Sequence, residues 1–378
     1  MSHNTKIVLG EEKAASIAGL SWDSDGLTVT WADSETSRYP AIWLRDNAPD
    51  GRHAGNGQRL FDISSLPDDI TLTGAALLDS DDISLGFSPE GIDATFSAAW
   101  LHSHRLEAGP RKRVKRLWKA GHAPAEAEFN AVSASPAALH SWLSAIRDEG
   151  VALLRGVPPE SQRIFDVVDL FGYVRETNYG RLFDVVSEPE PVNLAFSNLG
   201  LGLHTDNPYR DPVPGLQLLH CLVAESDGGE SVVVDGFAVA ERLREEAPED
   251  FELLARHSVP FAFRSKDVEL CSRSPLIELD GEGDVAAIRY NNRSAAPLDM
   301  KPEVMDRFYR AYRRYGRLLH DPDFAVSFRL APGDLFIVDN RRVLHGRKGF
   351  SGGRRHLQGC YADKDSLESR IAVLEKKL

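Results

Sequence analysis

At 378 residues, 42% of them hydrophobic, the chain is long enough to bury one large core or two smaller ones. Its net charge of −13 argues against a nucleic-acid backbone as partner, which needs clustered Lys and Arg, and three cysteines without CxxC spacing exclude a disulfide framework. The N-terminal MSHNTKIVLGEEKAAS has no basic region leading into an apolar run, and no window approaches the roughly 18 apolar residues of a membrane span, so a cytoplasmic protein without a membrane partner is expected.

The first hundred residues are short alternating segments, such as LTVTW at 27–31 and RYPAIWL at 38–44, separated by Gly, Asp and Ser clusters. They predict a small β-rich domain over residues 1–110. The basic run RKRVKR at 111–116 and the Ala/Pro-rich stretch that follows it read as a solvated connector into a second domain spanning 111–378. Apolar residues three and four apart predict helices over 137–149 and 163–176, with VALLRGVP a buried strand between them. Most of the remainder is strand-length apolar runs: VNLAFS, GLQLLHCL, SVVVDGF, VPFAFR, PLIEL, VAAIRY, FAVSFRL and DLFIVD. Two longer amphipathic stretches, 237–257 and 302–320, interrupt them. The predicted class is mostly β with helices, a sandwich or jelly roll.

Within this frame His204-Thr205-Asp206 raises a question that an HxD pair alone leaves open, since a polar turn accounts for it as well. The C-terminal segment PGDLFIVDNRRVLHGRKGFSGGRRHLQGCY adds the missing parts. A turn at Pro332-Gly333-Asp334 leads into an apolar strand that delivers His345, and Arg355 follows ten residues later. Two histidines and one carboxylate on one face, with the opposite positions open, is how non-haem Fe(II) oxygenases hold iron. The planar fork of Arg355 suits the far carboxylate of 2-oxoglutarate through two parallel hydrogen bonds.

HTDNP, VDNRRVLHGR and RRHLQGCYAD resemble the 2-oxoglutarate-dependent oxygenases, and are most similar to the γ-butyrobetaine and trimethyllysine hydroxylase branch, related to taurine dioxygenase. WLRDN at 43–47 and QRL at 58–60 resemble that branch's N-terminal domain, so the similarity spans nearly the whole chain. The resemblance implies a double-stranded β-helix (jelly-roll) catalytic domain, Fe(II) ligands His204, Asp206 and His345, and 2-oxoglutarate and O2 as co-substrates. It gives the 2-oxoglutarate C5 carboxylate to Arg355, with Ser231 and the backbone near Leu219 as further contacts. The branch commonly forms homodimers, which is carried over as an expectation.

The same branch surrounds a trimethylammonium group with aromatic rings, because a quaternary ammonium cannot donate a hydrogen bond and is attracted by ring quadrupoles. Matching positions are Tyr179, Phe183, Phe196 and Tyr361, where Phe183 replaces a usual Trp and Phe196 a usual Tyr. For the anionic end Asn193 matches a family asparagine, and Asn291 or Asn292 in YNNRS matches another, with Arg289 and Arg293 beside them. The residue after HTD, usually an aromatic hydroxyl, is Asn207, which enlarges that end and adds a donor. The expected reaction is hydroxylation of a small trimethylammonium zwitterion at the carbon β to nitrogen. A phosphonate head group, as in 2-(trimethylammonio)ethylphosphonate, is favoured, with γ-butyrobetaine, trimethyllysine and an iron-free jelly-roll binding protein as alternatives. Where the branch's N-terminal domain holds zinc with cysteines, Ala48, Asp50 and His53 stand here, so no zinc is expected and His53 and His104 are read as ordinary polar residues.

Overall fold

A computed structural model describes residues 16–79, 82–106, 115–186 and 198–378. The chain divides into two compact units, Met1–Arg113 and Val114–Leu378.

The first unit holds two three-stranded antiparallel sheets, Ile17–Asp23, Gly26–Trp31 and Thr36–Pro40 in one and Thr71–Leu77, Asp82–Ser88 and Ile92–Ser97 in the other. Alternation along these strands buries Leu27, Val29 and Trp31 against Ile83, Leu85 and Phe87. The 38–44 run departs from a strand at Pro40, which has no N–H for the ladder; the chain turns there into the helix Ala41–Asp46. Ala48 is core, His53 accepts from the Gly55 N–H, and His104 stacks on Trp100 at 4.1 Å.

In the second unit a seven-stranded sheet runs in the order Phe183–Val186, Arg355–Ala362, Leu216–Ala224, Leu335–Asp339, Val151–Arg155 and Ala125–Glu128, with Val174–Arg175 pairing beside Arg355–Ala362. A four-stranded sheet runs Leu201–His204, Val343–Arg347, Ser231–Asp235 and Ala325–Phe328. The chain crosses repeatedly between them, from Leu216–Ala224 to Ser231–Asp235, and from Leu335–Asp339 through Val343–Arg347 to Arg355–Ala362. This is the double-stranded β-helix of a jelly roll.

Period-two alternation decides what each face of the larger sheet meets. Leu216, Leu218, Leu335, Ile337, Cys360 and Ala362 point outward into a core shared with the helices Pro136–Glu149 and Lys364–Glu375. Phe336, Val338 and Leu357 point inward into the core between the sheets, and the inward neighbours Gln217, Leu219 and Tyr361 line a cavity. The helix over Pro136–Glu149 forms as its spacing predicts: Leu139, Trp142, Leu143 and Ile146 are buried, the Ser135 hydroxyl caps its start, and Gly150 ends it at φ +79°.

One helical expectation is corrected. The predicted helix over 163–176 reaches only Ile164–Val168, because the chain then passes against the C-terminal helix, where a Cβ on Gly172 would come within 2.4 Å of Ser366. The amphipathic stretch 237–257 is two helices, Gly236–Glu246 and Pro248–Arg256, since Pro248 cannot continue the first and starts the second. The second half of the predicted connector is packed: Trp118 is buried, its indole donating to the Glu149 carbonyl. VNLAFS lies outside the described residues.

Candidate active site

Adjacent antiparallel strands set His204 directly across from His345, and their rings are 4.5 Å apart. The strand of His204 ends there and the next turn supplies Asp206. Asn340 clamps this turn from the VDNRR loop: its Oδ1 accepts the Asp206 N–H at 2.6 Å and its Nδ2 donates to the Asp206 carbonyl at 3.0 Å. His204 Nε2 lies 3.2 Å from Asp206 Oδ1 and His345 Nε2 lies 3.8 Å from Oδ2. One ligand atom from each of the three residues fits within 4.8 Å, the only such metal-ligating group of His, Cys, Asp or Glu among the described residues.

The donor set fits a divalent metal. His204 Nδ1 faces the Gly202 carbonyl at 2.8 Å; a carbonyl can only accept, so Nδ1 donates to it and Nε2 is the ring nitrogen turned towards Asp206. Burial pushes His345 down to about 3, with His204 and Arg293 acting in the same direction against Asp206, so its imidazole is neutral. Burial alone would raise the Asp206 carboxyl, but hydrogen bonding to His204, the His345 ring and the Tyr361 hydroxyl hold it well below the usual carboxylate range. Gln217 and Tyr361 both donate to Oδ2, the tyrosine at 2.8 Å.

These residues open on a cavity of about 500 Å³, a size suited to small molecules. Arg355, Arg347, Ser231 and Leu219 are among its lining. Burial and the neighbouring Arg347 lower Arg355 to about 10, so it remains a cation at neutral pH. Its guanidinium sits 5.6 Å from the Phe350 ring. Much of the remaining wall is aromatic. Tyr361 and Phe183 have centroids 5.2 Å apart, Phe183 and Tyr179 6.4 Å, Tyr179 and Phe263 5.9 Å, and Phe263 and Tyr209 5.1 Å. Asn207, Asn291 and Arg293 also line the cavity.

The structure therefore brings together His204, Asp206, His345, Arg355, Leu219, Ser231, Tyr179, Phe183, Asn207, Asn291, Arg293 and Tyr361. Asn193 and Phe196 lie outside the described residues. Asn292 does not line the cavity: it donates to the Tyr290 hydroxyl and accepts from Tyr312. Arg289 is likewise drawn away, into an ion pair with Glu278 at 2.8 Å. The Asn291 amide braces the site, donating to the Thr205 carbonyl and accepting the Arg293 N–H. Sequence reasoning missed Gln217, Tyr209, Phe263 and Arg347. Alternation in GLQLLHCL gives Gln217 the same face as Leu219, and the same rule applied to VPFAFR sets Phe263 on one face with Phe261; no comparable signal marks Tyr209.

Residues 114–361 match the family of taurine catabolism dioxygenases TauD/TfdA, and residues 19–102 match the γ-butyrobetaine hydroxylase-like N-terminal family. A γ-butyrobetaine dioxygenase of Pseudomonas sp. (strain AK-1) is 37% identical over 93% of this chain and 94% of its own length. A trimethyllysine dioxygenase of Meyerozyma guilliermondii is 30% identical over 95% of this chain and 96% of its own. The human γ-butyrobetaine dioxygenase is 29% identical over 93% and 95%. Jelly roll, His-Asp-His triad and half-buried arginine together define a 2-oxoglutarate-dependent dioxygenase that uses Fe(II). The chain belongs to the TauD/TfdA family of dioxygenases.

Proposed function

We propose that the chain hydroxylates a small trimethylammonium zwitterion at the carbon β to nitrogen, with residues 111–378 as the catalytic domain. The observation that carries this reading is the continuity of triad, arginine and aromatic wall in one cavity. His204, Asp206 and His345 would hold Fe(II), and Arg355, assisted by Ser231 and the backbone at Leu219, would take the C5 carboxylate of 2-oxoglutarate. Bound together, iron and 2-oxoglutarate supply the oxidising power of dioxygen. The residues do the rest: Tyr179, Phe183 and Tyr361 hold the cation by contacts worth about 0.5–2 kcal/mol each, fixing which C–H faces the metal ligands. Phe263 belongs to the same ring series.

The head group has two readings, each from its own observation. The relatives are named for γ-butyrobetaine and trimethyllysine, and those names back a carboxylate more directly than a phosphonate. The pocket itself favours 2-(trimethylammonio)ethylphosphonate, converted to its 1-hydroxy product: Asn207 Nδ2 makes no hydrogen bond and Arg293 shares the cavity, a donor and a cation for a head group with three acceptor oxygens. On the geometry, the phosphonate is the reading we put first. Product analysis by NMR and mass spectrometry, with γ-butyrobetaine, trimethyllysine and the phosphonate in separate reactions, tests it. A hydroxylated phosphonate formed in preference supports this reading, hydroxylated γ-butyrobetaine in preference supports the carboxylate, and no product from any of the three refutes the cage.

A further inference from the structure

We propose that Tyr209 is a specificity-determining positioning residue: it orients the Asn207 amide so that the –NH2 group, not the carbonyl, is left for the head group of the substrate. The inference rests on the trimethylammonium zwitterion reading above and names a residue that neither the sequence motifs nor that reading uses.

Tyr209 is 5% exposed and lies two residues after Asn207. Its hydroxyl donates to Asn207 Oδ1 at 2.6 Å and also lies 3.0 Å from the Tyr179 hydroxyl. A phenol has one hydrogen. With that hydrogen on Asn207, Tyr179 must be the donor of the second bond, so the chain of hydroxyls runs one way, from Tyr179 through Tyr209 to Asn207. Burial raises the Tyr209 hydroxyl far above its ordinary range, so it stays protonated. Phe263 stacks on the Tyr209 ring at 5.1 Å and limits its movement.

The consequence falls on Asn207. Its backbone is fixed in the left-handed region at φ +54°, its carbonyl accepts the Arg210 N–H, and its side-chain oxygen is taken by Tyr209. Only Nδ2 is left, buried and without a hydrogen bond. A buried donor lacking an acceptor is costly until a ligand supplies one. With the Tyr209 hydrogen on Oδ1, the amide presents its –NH2 group to the cavity, which suits a head group that brings acceptor oxygens over one that needs an acceptor from the protein.

Steady-state kinetics of the iron-loaded enzyme tests this, with γ-butyrobetaine, 2-(trimethylammonio)ethylphosphonate and the uncharged carboxamide of γ-butyrobetaine. In Tyr209→Phe the KM for the preferred zwitterion should rise about tenfold, the loss of one oriented bond to a charged group. The KM for 2-oxoglutarate should stay within about twofold, and the preference for anion over carboxamide should fall by the same factor as the zwitterion KM rises. Tyr179→Phe leaves the Tyr209–Asn207 bond intact and should keep that preference. Combining Tyr209→Phe with Asn207→Ala should cost no more than Asn207→Ala alone. An unchanged zwitterion KM, an equal rise for 2-oxoglutarate, or additivity of the two substitutions would overturn the role given to Tyr209. Wild type that releases succinate with neither zwitterion would instead overturn the underlying reading, and this proposal with it.

Discussion

The Tyr361 hydroxyl donates to Oδ2 of Asp206 across 2.8 Å, while the Tyr361 ring lies 5.2 Å from Phe183. One side chain thus serves the candidate metal ligand with its oxygen and the aromatic wall with its face. Tyr361→Phe keeps the ring and removes only the donor. Partners of a metal-bound carboxylate typically contribute about 10–100-fold to metal affinity. Titrating apo-protein with Co(II), followed by its visible absorption, should show a loss in that range for Tyr361→Phe with little change in substrate KM. Tyr361→Leu should harm both.

Gly359 lies under the Phe183 ring, where an added Cβ would come within 2.3 Å of Cε2. Gly359→Ala must therefore displace Phe183, at a cost of about 1–3 kcal/mol in an already filled space. The expected kinetic signature is a raised KM for the trimethylammonium substrate with the KM for 2-oxoglutarate unchanged. Equal effects on both would mean the ring is only packing.

Arg342 and Asp235 form an ion pair with side chains 2% and 0% exposed, joined by hydrogen bonds of 3.0 and 2.8 Å. Asp235 also accepts the N–H groups of Trp118 and Phe237, tying the second half of the predicted connector and a helix start to the smaller sheet. Arg342→Met leaves this carboxylate buried without its cation, and equilibrium denaturation should register a loss of about 3–5 kcal/mol. Adding Asp235→Asn should restore part of it.

How much of this was legible beforehand follows from what each feature depends on. The triad and Arg355 were readable because the ligands sit in two short motifs whose strands pair directly, His204 opposite His345. The helix over Pro136–Glu149 was readable from local spacing and caps. Asn291 and Asn292 could not be separated by sequence, since both are polar neighbours in one loop and only tertiary packing sends Asn292 to Tyr312. Tyr209 and Phe263 come from segments 54 residues apart in the chain, and their stacking exists only once the strand Val259–Arg264 packs against the HTDNP turn. The break at Gly172 depended on the C-terminal helix nearly two hundred residues away.

Cys221 and Cys360 are buried while Cys271 is exposed. Burial pushes the Cys360 thiol up to about 12 and the Cys221 thiol up to about 11. At pH 8 both stay protonated and poorly nucleophilic. Thiol labelling of the native protein should modify one cysteine, and labelling after denaturation all three. Because the folded state binds these protons more tightly than the unfolded chain, stability should fall as pH climbs from about 9 towards 12.

The most direct test of the central claim is succinate release from anaerobically iron-loaded protein given 2-oxoglutarate, a trimethylammonium zwitterion and then air, in wild type and Asp206→Ala. Release should track the zwitterion in wild type and vanish in Asp206→Ala. Full release in Asp206→Ala, or release indifferent to the zwitterion, would contradict it.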